Sequence, residues 1–452
     1  MTLQTQAQED DQIIRKIFDG ALIEGGCYED LRHLCKNIGG RLSGSKEAQK
    51  AVEWAYNTLN RLDLDSVYKQ EVWVPHWERG EKEVAILYGR GGREFEVPIC
   101  ALGGSVATPI DGIKAGIVEV FSLEELEKLG EEKLKGKVVF FNRPMDAKLI
   151  DTFHAYGGCV DQRSSGAATS APFGALAVIV RSMNLRLDDL PHTGVQRYKE
   201  GVRQIPAAAI STNGAELMSR MLKKDATTEI FLKMSCKTHN DKLSHNVIGE
   251  IRGSKYPDEI ILIGGHLDSW DVNEGAHDDG AGVVQSIEVL RLFKQMKHAP
   301  ERTIRCVLWM NEENGAKGAL AYADMVKKKG EKHMVAIESD RGGFTPRGFT
   351  VDGANDAIKD RGINRLKSWE QLLKPYDLHK FEKGYGGVDI NFLKDQNVTL
   401  MGYIPDSQRY FDHHHAPNDV FEEVNKRELE LGAASITSLV YLLSKYGLED
   451  EK

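Results

Sequence analysis

The sequence predicts an α/β fold: a mostly parallel, mixed sheet with helices on both faces, interrupted by an inserted β-rich domain. Two observations carry that expectation. From about residue 245 onward, short apolar runs alternate with amphipathic helical stretches, the pattern of a parallel sheet covered on both sides. The chain is also 452 residues long, more than one ordinary core holds, so a second unit is expected. The boundaries read as 1–104 for the N-terminal part of the main domain, 105–235 for the insertion and 236–452 for the domain carrying the chemistry.

The elements follow in chain order. Ser45 stands where it can cap a helix through Ala48, Val52, Ala55, Tyr56 and Leu59, an apolar stripe at helical spacing. Residues 72–80 read as a strand broken at Pro75, because proline offers no N–H to a ladder. Residues 85–88 and 96–99 look like a hairpin turning near Gly89 to Gly92. In the insertion, residues 116–121, 137–141 and 175–180 are strands, 123–134 is a charged helix, and 215–222 is another helix. Residues 164–170 are small and polar and read as a loop. No candidate cluster falls in 105–235, so the insertion is expected to carry no chemistry of its own. Beyond it, strands at 260–263, 304–310, 335–337 and 398–403 alternate with helices after Gly280 and over 319–327. Val283, Ile287, Leu290 and Phe293 share one face of the first of those helices.

Composition excludes several function classes. Net charge is −9, from 59 basic and 68 acidic side chains, which argues against a basic nucleic-acid surface. No apolar run approaches the roughly 18 residues of a membrane span. The polar, acidic start lacks the basic and apolar regions of a secretory leader. The sequence as it stands therefore reads as cytoplasmic, with secretion or lysosomal delivery as the alternative if a leader is missing. Six scattered cysteines read as buried, reduced thiols.

The chemistry lies in five clusters after residue 264. They are Gly265-His266-Leu267-Asp268, Asp278-Asp279-Gly280, Glu312-Glu313-Asn314-Gly315, Glu338-Ser339-Asp340 and His413-His414-His415 with Asp419 four residues on. Three of them directly follow apolar strands, and ligands of open α/β sheets gather beyond the carboxyl ends of strands. Clusters far apart in sequence would thereby converge. Histidine nitrogens and carboxylate oxygens suit zinc, and paired ions can share a bridging carboxylate. Of the adjacent Glu312 and Glu313, one can bind metal while its neighbour acts as general base.

These runs resemble the di-zinc exopeptidases of the aminopeptidase Y and glutamate carboxypeptidase type, most closely the plasma glutamate carboxypeptidase branch. The resemblance extends to Gly40-Arg41-Leu42-Ser43-Gly44-Ser45, Pro75-His76-Trp77-Glu78-Arg79-Gly80, Pro191-His192-Thr193-Gly194 and Asp389-Ile390-Asn391-Phe392, so it spans nearly the whole chain. It implies a zinc-peptidase fold with two Zn2+ per subunit. Asp278 would bridge them, His266 and Asp340 would complete one site, and Glu313 and His415 the other. Glu312 would be the catalytic base. Asp268 would orient the His266 imidazole. Where many relatives place an oxyanion-supporting tyrosine this chain has His414, a candidate donor to the oxyanion. Asp389 would face substrate, or else cap the helix that follows it. The insertion resembles a protease-associated domain, and the resemblance implies a homodimer. The implied reaction is hydrolysis of dipeptides or short peptides through a metal-bridging water. Aminopeptidase action on longer peptides, or a non-catalytic receptor-like role, is the alternative.

Overall fold

The computed structural model describes residues 3–449. Two eight-stranded sheets organise them. The first runs in the order Ser66–Glu78, Lys237–Ile251, Arg302–Trp309, Tyr256–His266, Lys332–Glu338, Thr399–Pro405, Pro346–Asp352, Lys380–Lys383. Its four central strands, from Arg302–Trp309 to Thr399–Pro405, pair in parallel. Antiparallel strands flank them, so the sheet is mixed with a parallel centre, as expected. The parallel strands are buried almost throughout, because helices cover both faces.

Helices Ala281–Gln295 and Lys426–Tyr446 pack together on one face, where Val283, Ile287, Leu290, Ile436, Leu439 and Leu443 join the strand residues Ile261, Ile263, Ile304 and Leu308 in one core. The opposite face is covered by Lys317–Lys329 and the turn Ile390–Gln396, which pack on Leu262, Val307 and Ala336. Ser45 caps Lys46–Asn60 by accepting from the Ala48 N–H at 3.0 Å, as its position predicts. All six cysteines are buried and unpaired.

The second sheet runs Arg93–Glu96, Val84–Gly89, Glu229–Lys233, Ile113–Val120, Val138–Phe141, Ala177–Arg181, Ala207–Ile210, Ile99–Ala101. Three of these strands, Val84–Gly89, Arg93–Glu96 and Ile99–Ala101, come from the stretch assigned by sequence to the main domain. They hydrogen-bond into the second sheet instead. A hairpin and a short apolar strand carry no sequence mark of which sheet they will join. Residues expected to form a loop at 164–170 lie in the helix Asp161–Ser170. Its buried apolar face is built from Gly166 and Ala167 beside Phe141, residues too small to register as a hydrophobic stripe.

Pro75 bends rather than ends its strand. Ser66–Glu78 stays paired with Lys237–Ile251 on both sides of a register shift between Val74 and His76, a bulge that spares the missing N–H. The chain leaves the first sheet after Glu78 and returns to it at Lys237, so the two units are joined by this antiparallel ribbon. Leu42, Trp77 and Trp270 belong to the core of the second sheet. A Cβ at Gly103 would come within 1.9 Å of the Trp270 ring, so only glycine permits that contact.

Candidate metal centre

The parallel topology brings the five clusters together at the carboxyl ends of the central strands. His266 is the last residue of Tyr256–His266, Asp340 follows Lys332–Glu338, and Glu312 and Glu313 follow Arg302–Trp309. Asp278 lies in the turn leading into Ala281–Gln295, and His415 follows the short helix Tyr410–His413. All five expected ligands converge. Asp278 sits between the two histidines, with Oδ1 3.2 Å from His266 Nε2 and Oδ2 3.2 Å from His415 Nε2. Asp340 Oδ1 stands 3.5 Å from His266 Nε2, and Glu313 Oε2 stands 3.2 Å from His415 Nε2. Glu312 Oε2 points at the same centre, 3.9 Å from His266 Nε2.

Several of these residues are held from behind. His266 Nδ1 lies 2.9 Å from the Asp268 carbonyl oxygen, which fixes Nε2 toward the cluster. The Asp268 carboxylate does a second job. It lies 3.9 Å from that imidazole but accepts from the Asn311 and Glu312 backbone N–H groups at 2.7 and 3.1 Å. Its main hold is thus on the loop carrying Glu312 and Glu313. Asp279 accepts from the His266 N–H at 3.0 Å, and Asp419 from the His277 and Asp278 N–H groups at 2.7 and 3.1 Å. Glu338 pins residues 388–390 by accepting from the Val388 and Ile390 N–H groups at 2.8 and 2.9 Å.

The second sheet's unit supplies none of the clustered carboxylates or imidazoles, but it positions one of them. The Thr193 N–H donates to the His415 carbonyl at 3.0 Å, and Thr193 O lies 3.3 Å from His415 Nδ1. These contacts hold His415 in the left-handed region, with φ 62°. Arg163 lies 3.4 Å from the same Nδ1 and donates to Tyr156 Oη at 2.6 Å. Thr193 lies inside a run that already resembled the peptidases. Arg163 and Tyr156 carry no sequence signal, since their role exists only once the two units meet.

His414 stacks on His415 with ring centroids 3.5 Å apart, its Nε2 3.8 Å from Asp278 Oδ2. It lines the cavity beside the cluster. Asp389 opens Ile390–Gln396 but caps nothing with its side chain, and both its carboxylate oxygens are buried without a hydrogen bond. Burial and the nearby carboxylates of Glu338 and Glu312 push it well up.

The charges explain one another. Burial, then the negative field of Asp340, raises Asp279 well above the usual carboxylate range, and Glu312 rises the same way. Burial and Asp278 lift Glu313 to about 7. Burial would lower His415, yet Glu313 and Asp278 raise it to about 9. Asp278 alone is driven well down, because bonds to both histidines outweigh its burial. So many carboxylates in one dry pocket call for compensating cations. Asp340 Oδ1, buried without a hydrogen bond, adds a free oxygen donor. The donor set of two imidazoles and three carboxylates fits zinc.

The cavity next to this cluster has a volume of about 390 Å³ and is lined by Glu312, Asp340, Arg163, Arg197, Arg341 and Tyr385 among others. A hollow of about 730 Å³ near Glu259 and Arg302 lies at the opposite strand ends and contains none of the clustered ligands.

Comparison with known proteins agrees with this geometry. Residues 246–440 match peptidase family M28. Carboxypeptidase Q of Homo sapiens is 37% identical over 417 residues, covering 92% of this chain and 85% of that protein. The crystal structure of a peptidase M28 precursor from Shewanella amazonensis superposes with a TM-score of 0.90 at 33% identity, covering 99% of this chain and 98% of its own. A zinc aminopeptidase from Bacillus subtilis shares the fold, with a TM-score of 0.64 at 20% identity over 92% of this chain and 94% of its own. The likeness over nearly the full length, and the ligands gathered at the strand ends, place the chain in peptidase family M28 as a zinc-dependent exopeptidase.

Proposed function

We propose that the chain hydrolyses dipeptides or other short peptides with two zinc ions per subunit, in the manner of a carboxypeptidase. The observation that carries the reading is the Asp278 carboxylate, with one oxygen 3.2 Å from each of two histidines that have separate carboxylate partners. His266 and Asp340 would hold one ion, Glu313 and His415 the other, with Asp278 between them. The bound ions would polarise the scissile carbonyl and acidify the attacking water.

The remaining steps belong to the chain's own side chains. Glu312 would take the proton from the attacking water at Oε2 and return it to the departing nitrogen. Its burial disfavours the charged form, which helps it hold the proton between the two steps. His414 would donate toward the developing oxyanion. The cavity of about 390 Å³ is at the small end of ligand sites, which favours short substrates. Arg163, Arg197 and Arg341 on its wall favour a free carboxylate, and so the carboxypeptidase direction over aminopeptidase action. We assign the second sheet to a protease-associated module that closes this cavity, and the assembly to a homodimer.

The test is hydrolysis of a dipeptide library, and of the same peptides amidated at the C-terminus, with and without a chelator. Cleavage of free dipeptides, lost with chelator and restored by zinc, is expected. Faster cleavage of the amidated peptides would reject the carboxylate reading, and activity that survives stripping of metal would reject the metal reading.

A further inference from the structure

On the far part of the joining ribbon, His76, Glu78 and His239 face one another. His76 and His239 are direct cross-strand partners, and Glu78 is two residues along from His76, on the same face. The two rings stack with centroids 4.5 Å apart. Glu78 Oε1 lies 3.3 Å from His76 Nε2, and Oε2 lies 3.0 Å from His239 Nε2. His239 Nε2 is shielded from water yet finds no hydrogen bond of acceptable angle. One ligand atom from each residue lies within 4.8 Å of the other two, and each His–Glu separation is close to the roughly 3.3 Å that zinc bonds of ~2.0–2.2 Å put between neighbouring ligand atoms. His76 is buried, whereas the Glu78 side chain is 58% exposed, which leaves room for water as a further ligand.

The place matters as much as the ligand set. The pairs His76 with His239, Trp77 with Thr238 and Glu78 with Lys237 are the last of the ribbon, where the chain leaves for the second sheet and where it returns. Next along, the Ser235 hydroxyl accepts from the Glu81 N–H at 2.8 Å. An ion held by both strands would staple the outgoing and returning segments together. The unit stapled is the one that carries Thr193 and Arg163 to His415.

We infer that His76, Glu78 and His239 form a divalent transition-metal site, separate from the cluster around Asp278, that clamps the two crossings between the sheets. It selects metals that take imidazole, such as zinc, over magnesium or calcium, which prefer all-oxygen ligands.

The test is stoichiometric. The chelator-stripped full-length protein is titrated with zinc chloride, and bound zinc is counted by elemental analysis after gel filtration. The wild type is expected to bind one equivalent more than His239→Ala, and Glu78→Gln should lose the same equivalent. Glu78 is exposed, so the second substitution keeps the question open to test should His239→Ala fail to fold. Equal zinc content in the wild type and in a folded variant overturns the site. Loss of the dipeptide activity proposed above would leave this count untouched, so the two readings fail separately.

Discussion

Asp268 gives the sharpest prediction, because two jobs can be separated there. Its carboxylate is fully buried and accepts two backbone N–H groups, from Asn311 at 2.7 Å and Glu312 at 3.1 Å. Replacing it with alanine strands both donors. Hydrogen bonds to a charged acceptor are worth about 1.5–3 kcal/mol each, which gives roughly 3–6 kcal/mol for the pair. Burial has already raised the Asp268 pKa, so removing a desolvated carboxylate offsets part of this, and the lower end, about 3 kcal/mol, is expected. At an unfolding entropy of ~2.1 cal/mol/K per residue, the chain's 452 residues give about 0.95 kcal/mol/K. The melting midpoint should therefore fall by about 3 °C. Turnover should fall much further, by roughly 100-fold, because the freed loop carries Glu312 and Glu313 and a misplacement of about 1 Å costs that much. Asp268→Asn, which keeps an oxygen acceptor in place, should recover most of both losses. Differential scanning fluorimetry and dipeptide hydrolysis in excess zinc provide the readouts. An alanine variant with an unchanged midpoint, whose turnover excess zinc restores fully, would show that the carboxylate serves the His266 imidazole and not the loop.

Three further outcomes follow from the same geometry. Glu312→Gln should retain its zinc by elemental analysis but lose about 1,000-fold in kcat, near 4 kcal/mol of barrier; a variant that stays active would remove Glu312 as the base. His414→Ala should lower kcat by about 100-fold with little change in KM, and unchanged turnover would exclude it as the oxyanion donor. Metal-stripped protein should lose stability as pH rises from 6.5 to 8. In that window folded Glu313, Glu338 and Asp419, at about 7, 8 and 8, and His415, at about 9, hold protons that the unfolded chain releases. Raised folded values contribute stability at low pH that is lost as pH climbs through them. The buried His192 and His277, lowered to about 3, act in the opposite sense and only below about 6.5. Thermal midpoints at pH 6.5 and 8, with and without zinc, give the comparison, and a stripped protein more stable at pH 8 would contradict the crowded-carboxylate picture.

The centre was legible in sequence because its logic is one-dimensional up to the last step. Apolar runs mark parallel strands, and the residues just beyond them must gather at one edge, as His266, Glu313 and Asp340 do. Choosing His415 over His413 and His414 rested on the resemblance, which places the last ligand four residues before an acidic residue. That residue, Asp419, turns out to hold the Asp278 turn by its backbone. Asp268 was legible as a support for the His266 imidazole, which it provides through its carbonyl oxygen, but the second hold of its carboxylate was not. The spacing of two from His266 puts it near the ring, but the carboxylate turns toward a loop 43 residues away, and no local pattern states that.

The positioning role of the second unit escaped sequence reasoning for the same physical reason, on a larger scale. Sequence reasoning found no cluster of metal-binding side chains in 105–235 and inferred an absence of chemistry. The unit contributes through Thr193, whose backbone N–H and carbonyl both meet His415 across 222 residues of chain, and a backbone contribution has no residue signature. Arg163 reaches the same imidazole across 252 residues. His415 is therefore anchored on the first sheet's domain and aimed by the second. A residue positioned from two units is only as fixed as the joint between them, and that joint includes the two-stranded ribbon bent at Pro75, the packing of Trp270 in the second core and the stacking of Phe153 and Tyr156 on Tyr410 and Phe411. Stiffness at His76, Glu78 and His239 thus bears on how firmly His415 is aimed, although those residues touch neither substrate nor the central cluster.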